Sequence, residues 1–310
     1  MKIKVIDRKG RDLCALTLSD NDKQANLDIM LQIITNSHLK KKGFDVNRMR
    51  LTVGDAKGPA LADKKQKFSE FLTGNSLADK DELTLVFKDL GKQISWKLVF
   101  LIEYFGPILF AVVLCLFQKQ IYGESKPYTF NQKIGLAMVL IHYAKRELET
   151  LFVHRFSNDT MPFFNVFKNS THYWILMGFC SNYFLLHPQY TPPAWASDQV
   201  HVVLLVLFIC FEFMNWRCHM VLRNLRKPGS TERGIPKGWG FGLVSCANYF
   251  WETMCWVTFS LSTQCLGSYL FLTVSFLQMM DWAQKKHRRY KKDFGDKYPK
   301  GRKAIVPFFI

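Results

Sequence analysis

The chain has 310 residues, a formal net charge of +17 at neutral pH, 48% hydrophobic residues and a mean hydropathy of -0.04. That mean averages two unlike parts: residues before Leu90 are polar and mixed in charge, while from Ile94 onward long apolar runs alternate with short basic segments. Positive charge beside apolar spans marks a cytosolic membrane face and attraction to anionic lipid, so nucleic acid is excluded as a partner.

The opening MKIKVIDRKGR has no apolar core of a cleaved signal. The eight cysteines form no CxxC pair and lie mostly in apolar runs, where a thiol behaves as a small hydrophobe. Neither a zinc site nor a disulfide framework is expected.

Lys2–Asp7 and Leu13–Leu18 read as strands with alternating apolar positions. Gln24–Asn36 carries Leu27, Met30, Leu31, Ile33 and Ile34 at helical spacing. Arg48–Val53 and Glu82–Lys88 read as further strands. This order predicts a small α+β ubiquitin-like (β-grasp) cytosolic domain over residues 1–90. Such a fold says little about function, and a docking or capping role is expected of it.

Residues 91–310 predict an α-helical multi-pass membrane domain of about six transmembrane helices. The candidate spans are Ser95–Phe117, Gln132–Phe152, His172–Leu186, Val200–Leu222, Trp239–Leu261 and Gly267–Ala283. Several are shorter or more polar than the roughly 20 apolar residues of a lipid-exposed helix. Charge then sets orientation. Gln118–Asn131 has only Lys119 and Lys126, whereas the next connection has Lys145, Arg146, Arg155 and Lys168. His187–Gln199 has no Lys or Arg, and the loop after it carries Arg223, Arg226, Lys227, Arg233 and Lys237. Ser262–Cys265 is uncharged, and the tail over about 284–310 is densely basic. The alternation predicts six spans with both termini cytosolic. Asn158 and Asn169 start formal glycosylation sequons, but both fall on a cytosolic connection and are predicted to stay unmodified.

Polar side chains on apolar spans face a cavity or a partner. Glu103 in FLIEYFGPILF is such a residue, with a tyrosine hydroxyl or histidine as its natural partner. In IHYAKRELETLF, His142, Arg146 and Glu149 share one helical face, with Lys145 four residues before Glu149. A snorkelling basic helix end with Lys145–Glu149 and Arg146–Glu149 ion pairs accounts for them equally well. Tyr143, beside these cations, is a candidate proton donor.

Asn215, His219, Arg223 and Arg226 are spaced four, four and three, a stripe fit to present an amide to a ring and guanidiniums to phosphates. Asn248 and Glu252 are again four apart, with Tyr249 beside Asn248. No GxGxxG follows a strand, and neither GxxxxGK[ST] nor GxSxG occurs, so a nucleotide here sits in neither a Rossmann nor a P-loop site. The histidines lack metal-ligand spacing, and no metal is expected.

Several long segments carry a resemblance: FKDLGKQISWKLVFLIEYFGP, KRELETLFVHRFS, MPFFNVFKNSTHYW, HPQYTPP, LRNLRKPGS, CANYFWE and the closing IVPFFI. Over essentially its full length the chain resembles the very-long-chain trans-2-enoyl-CoA reductases, a branch of the steroid 5α-reductase family. The resemblance implies an endoplasmic-reticulum membrane enzyme working beside other fatty-acid elongation enzymes. NADPH delivers hydride to the β carbon of a long-chain trans-2-enoyl-CoA and a protein acid protonates the α carbon, the reducing step that ends each elongation cycle. It implies that Glu103 and Tyr143 bind the thioester carbonyl, and that Lys145, Arg146, Glu149 and Tyr249 belong to the site. Tyr143 and Tyr249 stand as rival acids. For the cofactor it implies Arg146, Asn215, Arg226, Asn248 and Tyr290. His219 stands where the steroid enzymes have an acidic cofactor contact, and Arg233 where they have a tyrosine. Two other readings remain beside it: reduction of a steroid or polyprenol double bond on the same scaffold, and a catalytically silent scaffold that recruits partners through its first domain.

Overall fold

The computed structural model describes residues 1–36, 45–63, 66–156, 159–225 and 234–310. These divide into two units, Met1–Ser95 with Thr160–Phe163, and Trp96–Asp159 with Phe164–Ile310. The chain is mostly helical, with a small strand region at its N-terminus.

In the first unit the strands are β1 (Lys2–Asp7), β2 (Asp12–Thr17), β3 (Met49–Val53) and β4 (Glu82–Asp89), in sheet order β2-β1-β4-β3. β1 and β4 run parallel, and the other two pairings are antiparallel. Inward residues Ile3, Val5, Leu51 and Leu85 meet Leu27, Met30 and Ile34 from α2 (Leu27–Ile34) to form the core. That helix starts later than Gln24 because a separate turn, α1 (Asp20–Gln24), ends at Ala25. Asn26 then caps α2, its side chain accepting from the Ile29 N–H. α3 (Phe68–Gly74) has no side-chain cap and is not evident from the sequence, though Phe68, Phe71 and Leu72 on its inner face are buried. A short pair, β5 (Gln93–Ser95) with β6 (Thr160–Pro162), completes the unit.

The second unit contains α4 (Trp96–Leu116), α5 (Gln118–Tyr122) and α6 (Phe130–Phe152). α7 (Asn165–Ser170) then runs through a π-helix, Thr171–Ser181, into α8 (Asn182–Leu185). α9 (Asp198–Asn224), α10 (Ala247–Thr263) and α11 (Leu266–Phe294) follow. Among the described residues, two helices, α4 and α9, are long and apolar enough to cross a membrane. The outer face of α9 leaves Val203, Val206, Ile209 and Phe213 exposed by 46–57%, as a lipid-facing surface requires. The other expected spans differ for visible reasons. Lys133, Lys145, Arg146, Glu147 and Glu149 interrupt α6, and α10 has only 17 residues. The fifth stretch becomes helical at Ala247 rather than Trp239. Gly238, Trp239 and Gly240 all adopt positive φ (76°, 50° and 97°), a conformation no helix accommodates.

Three local devices position the helices. Thr129 caps α6 in a reciprocal box with Gln132. Near that end, Asn131 Nδ2 donates to the Ser262 carbonyl at 2.7 Å, and Tyr190 Oη donates to Asn131 Oδ1 and to the Thr263 carbonyl, both at 2.6 Å. On α4, Gly106 leaves room for the indole of Trp174, whose Nε1 donates to the Ile102 carbonyl at 2.9 Å.

Candidate active site

Two turns of α6 carry His142, Tyr143, Lys145, Arg146 and Glu149. Lys145 Nζ donates to Glu212 Oε2 at 2.6 Å and to Asn215 Oδ1 at 2.5 Å, both on α9. His142 Nδ1 donates to the other oxygen of Glu212 at 2.6 Å, and its Nε2 lies 3.4 Å from Glu252 on α10. Asn215 Nδ2 donates to the Asn248 carbonyl at 2.8 Å and to Glu252 Oε2 at 3.1 Å. The result is a closed ring, Glu212–His142–Glu252–Asn215–Lys145, joining three helices. His142, Glu212 and Asn215 are at most 4% exposed, so the charges are compensated by one another rather than by water.

The expected Arg146–Glu149 pair forms at 2.8 Å, while Lys145 stands 3.8 Å from Glu149 and much closer to Glu212. Snorkelling to solvent does not describe this turn, because the cations point inward. Arg146 Nη2 donates to Tyr104 Oη at 2.7 Å. His219 Nδ1 lies 2.9 Å from Glu149 Oε1.

Just beyond α6, burial and the Arg146 guanidinium push the His154 imidazole down to about 3, so it is neutral at ordinary pH. Glu149, His154 and His219 bring their ligand atoms within 4.8 Å of one another, a clustering that no sequence spacing reveals. Glu149 already serves Arg146 and His219, so a metal ion bound there would face a guanidinium across its own carboxylate ligand. The arrangement reads as an ion-pair cluster.

Tyr143 lies on the opposite flank. It is fully buried, and its Oη has no hydrogen-bond partner. Tyr104, Tyr173 and Trp256 surround it with ring centroids 6.4, 6.3 and 5.9 Å away. An orphaned phenol inside an apolar wall is a costly arrangement unless a ligand completes it. Glu103 is 2% exposed, and its Oε2 accepts from Asn169 Nδ2 at 2.9 Å. An amide thus joins the expected tyrosine: α7 packs its Asn169 side against α4, and the Tyr104 hydroxyl also hydrogen-bonds the Glu103 carboxyl.

Among the cofactor candidates, Asn215, His219 and Asn248 gather on α9 and α10. Asn248 is 7% exposed, and its Oδ1 has no partner. Arg223 sits in the last turn of α9, partly exposed, and its carbonyl accepts from Arg155. Tyr290, on the far part of α11, is 4% exposed and stacks on Tyr298 at 5.6 Å. Tyr249 is half-buried between Trp282, at 6.3 Å, and Lys286, whose Nζ is 5.8 Å from its ring centre. Arg226 and Arg233 lie outside the described residues.

The sequence reading passed over Glu212, Tyr104, Tyr173 and Trp256, and it gave Glu252 no role. Glu212 carried a usable signal: it is a lone acid in VVLLVLFICFEFM, the same anomaly that exposes Glu103. The aromatic residues carried none, since a tyrosine or tryptophan on an apolar helix is ordinary.

A helical, membrane-associated scaffold with a buried charged ring and an orphaned tyrosine is the class defined here. Residues 159–310 match the family model described as 3-oxo-5-alpha-steroid 4-dehydrogenase. The chain is 45% identical to the very-long-chain enoyl-CoA reductase of Dictyostelium discoideum over 87% of its length and 88% of that protein's. It is 40% identical to the probable very-long-chain enoyl-CoA reductase art-1 of Caenorhabditis elegans over 99% of both chains. It is 35% identical to the trans-2,3-enoyl-CoA reductase-like protein of Homo sapiens over 82% of this chain and 69% of that one. The chain belongs to the very-long-chain enoyl-CoA reductase family.

Proposed function

We propose that this protein reduces long-chain trans-2-enoyl-CoA to the saturated acyl-CoA with NADPH, the last step of the very-long-chain fatty-acid elongation cycle. The observation that carries the reading is the buried, unpartnered Tyr143 Oη inside an aromatic wall, beside a helix turn whose cations are already fixed by carboxylates. A thioester carbonyl placed against that hydroxyl acquires the donor that an enolate oxygen needs as charge develops.

The residues present fit a nicotinamide cofactor. Asn248 Oδ1 is a buried acceptor without a partner, suited to a carboxamide N–H, and Asn215 holds Asn248 in place through its backbone carbonyl. Asn215, Asn248, Arg146 and His219 would hold the nicotinamide end, with Arg223, Arg226 and Tyr290 toward the phosphates and adenosine. When bound, the cofactor supplies hydride; the chain's own residues orient the enoyl group, exclude water and manage the proton. The preference for NADPH rests on the basic character of the loop after α9 and of the tail, which suits a further phosphate.

The wider setting is part of the same proposal: about six spans in the endoplasmic-reticulum membrane, both termini cytosolic, a ubiquitin-like first unit, and elongation enzymes as partners. The parallel β1–β4 pair with α2 packed on the sheet supports the ubiquitin-like reading. The deciding experiment supplies NADPH and a long-chain trans-2-enoyl-CoA to membranes bearing the full chain. NADPH loss with matching saturated product is expected. No turnover beside a working positive control would sink the proposal.

A further inference from the structure

Arg146 engages a tyrosine that neither the sequence stripe nor the family resemblance nominates. Its Nη2 donates to Tyr104 Oη at 2.7 Å, and its guanidinium carbon is 4.8 Å from the Tyr104 ring centre. Nη1 is anchored on Glu149 at 2.8 Å, so the guanidinium is held at both ends. Tyr104 is 3% exposed, with Tyr173 at 5.2 Å and Tyr143 at 6.4 Å between ring centres. Its oxygen accepts from Arg146, so its own proton is the one it can donate, and the Glu103 carboxyl is the hydrogen-bond neighbour that faces that proton. Glu103 and Glu252, both acids, also face Tyr104, and Arg146 is the cation hydrogen-bonded to its hydroxyl, placed to meet a phenolate there. In a water-poor site such an interaction is far stronger than in bulk solvent.

Reduction of an enoyl thioester makes demands on two separate atoms. The thioester oxygen needs a hydrogen-bond donor while charge accumulates on it, and the α carbon needs a proton. One hydroxyl cannot stay on the oxygen and also deliver its proton to carbon. Tyr143 and Tyr104, neighbours in one buried cluster, offer two. Resting on the enoyl-CoA reductase reading, we propose that Tyr104, backed by Arg146, gives its proton to the α carbon, while Tyr143 holds the thioester oxygen.

The step balances. The β carbon gains hydride from the reduced nicotinamide, forming a C–H bond with two electrons. The C=C π pair shifts to make an enolate whose charge rests on the oxygen beside Tyr143. That enolate then takes the Tyr104 proton at the α carbon as the carbonyl re-forms, and the Tyr104 O–H bond breaks. The phenolate left on Tyr104 pairs with Arg146 until solvent returns a proton. The products are a saturated thioester and oxidised nicotinamide.

The test uses the full chain in membranes or detergent, with NADPH, a trans-2-enoyl-CoA and D2O as solvent. Tyr104→Phe, Tyr143→Phe and Tyr249→Phe are compared for NADPH affinity, single-turnover NADPH oxidation and the face of deuterium addition at the α carbon. Tyr104→Phe is expected to bind NADPH as the wild type does and to lose about a hundredfold in turnover, the scale of a lost general acid. Its product should carry α-deuterium on both faces, because the enolate is then quenched by solvent. Tyr143→Phe should slow NADPH oxidation itself and keep addition to one face. A merely structural role for Tyr104 would move affinity and leave the stereochemistry intact, which overturns the proposal. Scrambling in Tyr249→Phe with one-face addition in Tyr104→Phe overturns it equally. Absence of wild-type turnover removes the underlying reading and the proposal with it, whereas an active wild type with an unimpaired Tyr104→Phe removes the proposal alone.

Discussion

Lys145 on α6 reaches Glu212 on α9 at 2.6 Å, and the carboxylate that receives it also receives His142 at 2.6 Å. One acid therefore fixes two cationic or potentially cationic groups in a buried site. Glu212→Ala would leave Lys145 short of its closest carboxylate and should cost about 3–5 kcal/mol, the range for breaking a buried pair. Thermal unfolding in detergent measures it. Glu212→Gln keeps the shape and should lose less stability, yet it should still weaken NADPH binding as Lys145 and Asn215 shift. Equal melting temperatures for wild type and Glu212→Ala would rule out this account of the ring.

Asn248 offers the opposite case. Its Oδ1 has no partner, while its backbone carbonyl serves Asn215. Asn248→Ala should leave the melting temperature of the cofactor-free protein nearly unchanged. It should weaken NADPH binding by about tenfold, the worth of roughly one hydrogen bond. Fluorescence titration of the dihydronicotinamide reads this directly.

Gly106 is required by shape. A Cβ at this position would overlap the Trp174 indole. Gly106→Ala should destabilise by about 1–3 kcal/mol through overpacking. Trp174→Leu should partly relieve the clash, so the double variant should lose less than the sum of the two.

His154 predicts an acid limb of stability. Burial holds it near 3 in the folded protein, whereas in the unfolded chain it takes up a proton at its ordinary value of 6.5. The unfolded state thus binds more protons between those values, and stability falls as pH drops from about 6.5 toward 3. Above that window His154 is neutral in both states and contributes no slope. His154→Asn, which cannot titrate, should flatten the limb. An acid limb as steep in that variant as in the wild type between pH 6.5 and 4.5 would contradict the assignment.

The Asn169 side chain is committed inside the protein, donating to Glu103 Oε2 at 2.9 Å. Glycosidase treatment of protein from eukaryotic membranes should therefore leave its mobility unchanged. A glycan at Asn169 would contradict both that bond and the proposed cytosolic placement of the segment.

The sequence by itself determined those elements that rest on clear periodicity. Alternation in KIKVID and ELTLVFK located β1 and β4, and the apolar runs located α4 and α9. Glu103, Lys145, Asn215 and Asn248 were legible as inward-facing polar groups because polar side chains on apolar helices are costly and therefore conspicuous. Only the tertiary structure decided who meets whom. His142 and Glu212 are 70 residues apart, as are Lys145 and Asn215, and no spacing rule reaches that far. It also singled out Tyr104 and Tyr143 from among the tyrosines, one bonded to Arg146 and the other left without a partner. Hydrogen bonds form over about 3 Å, so pairing across helices is fixed by helix packing, which local sequence does not encode.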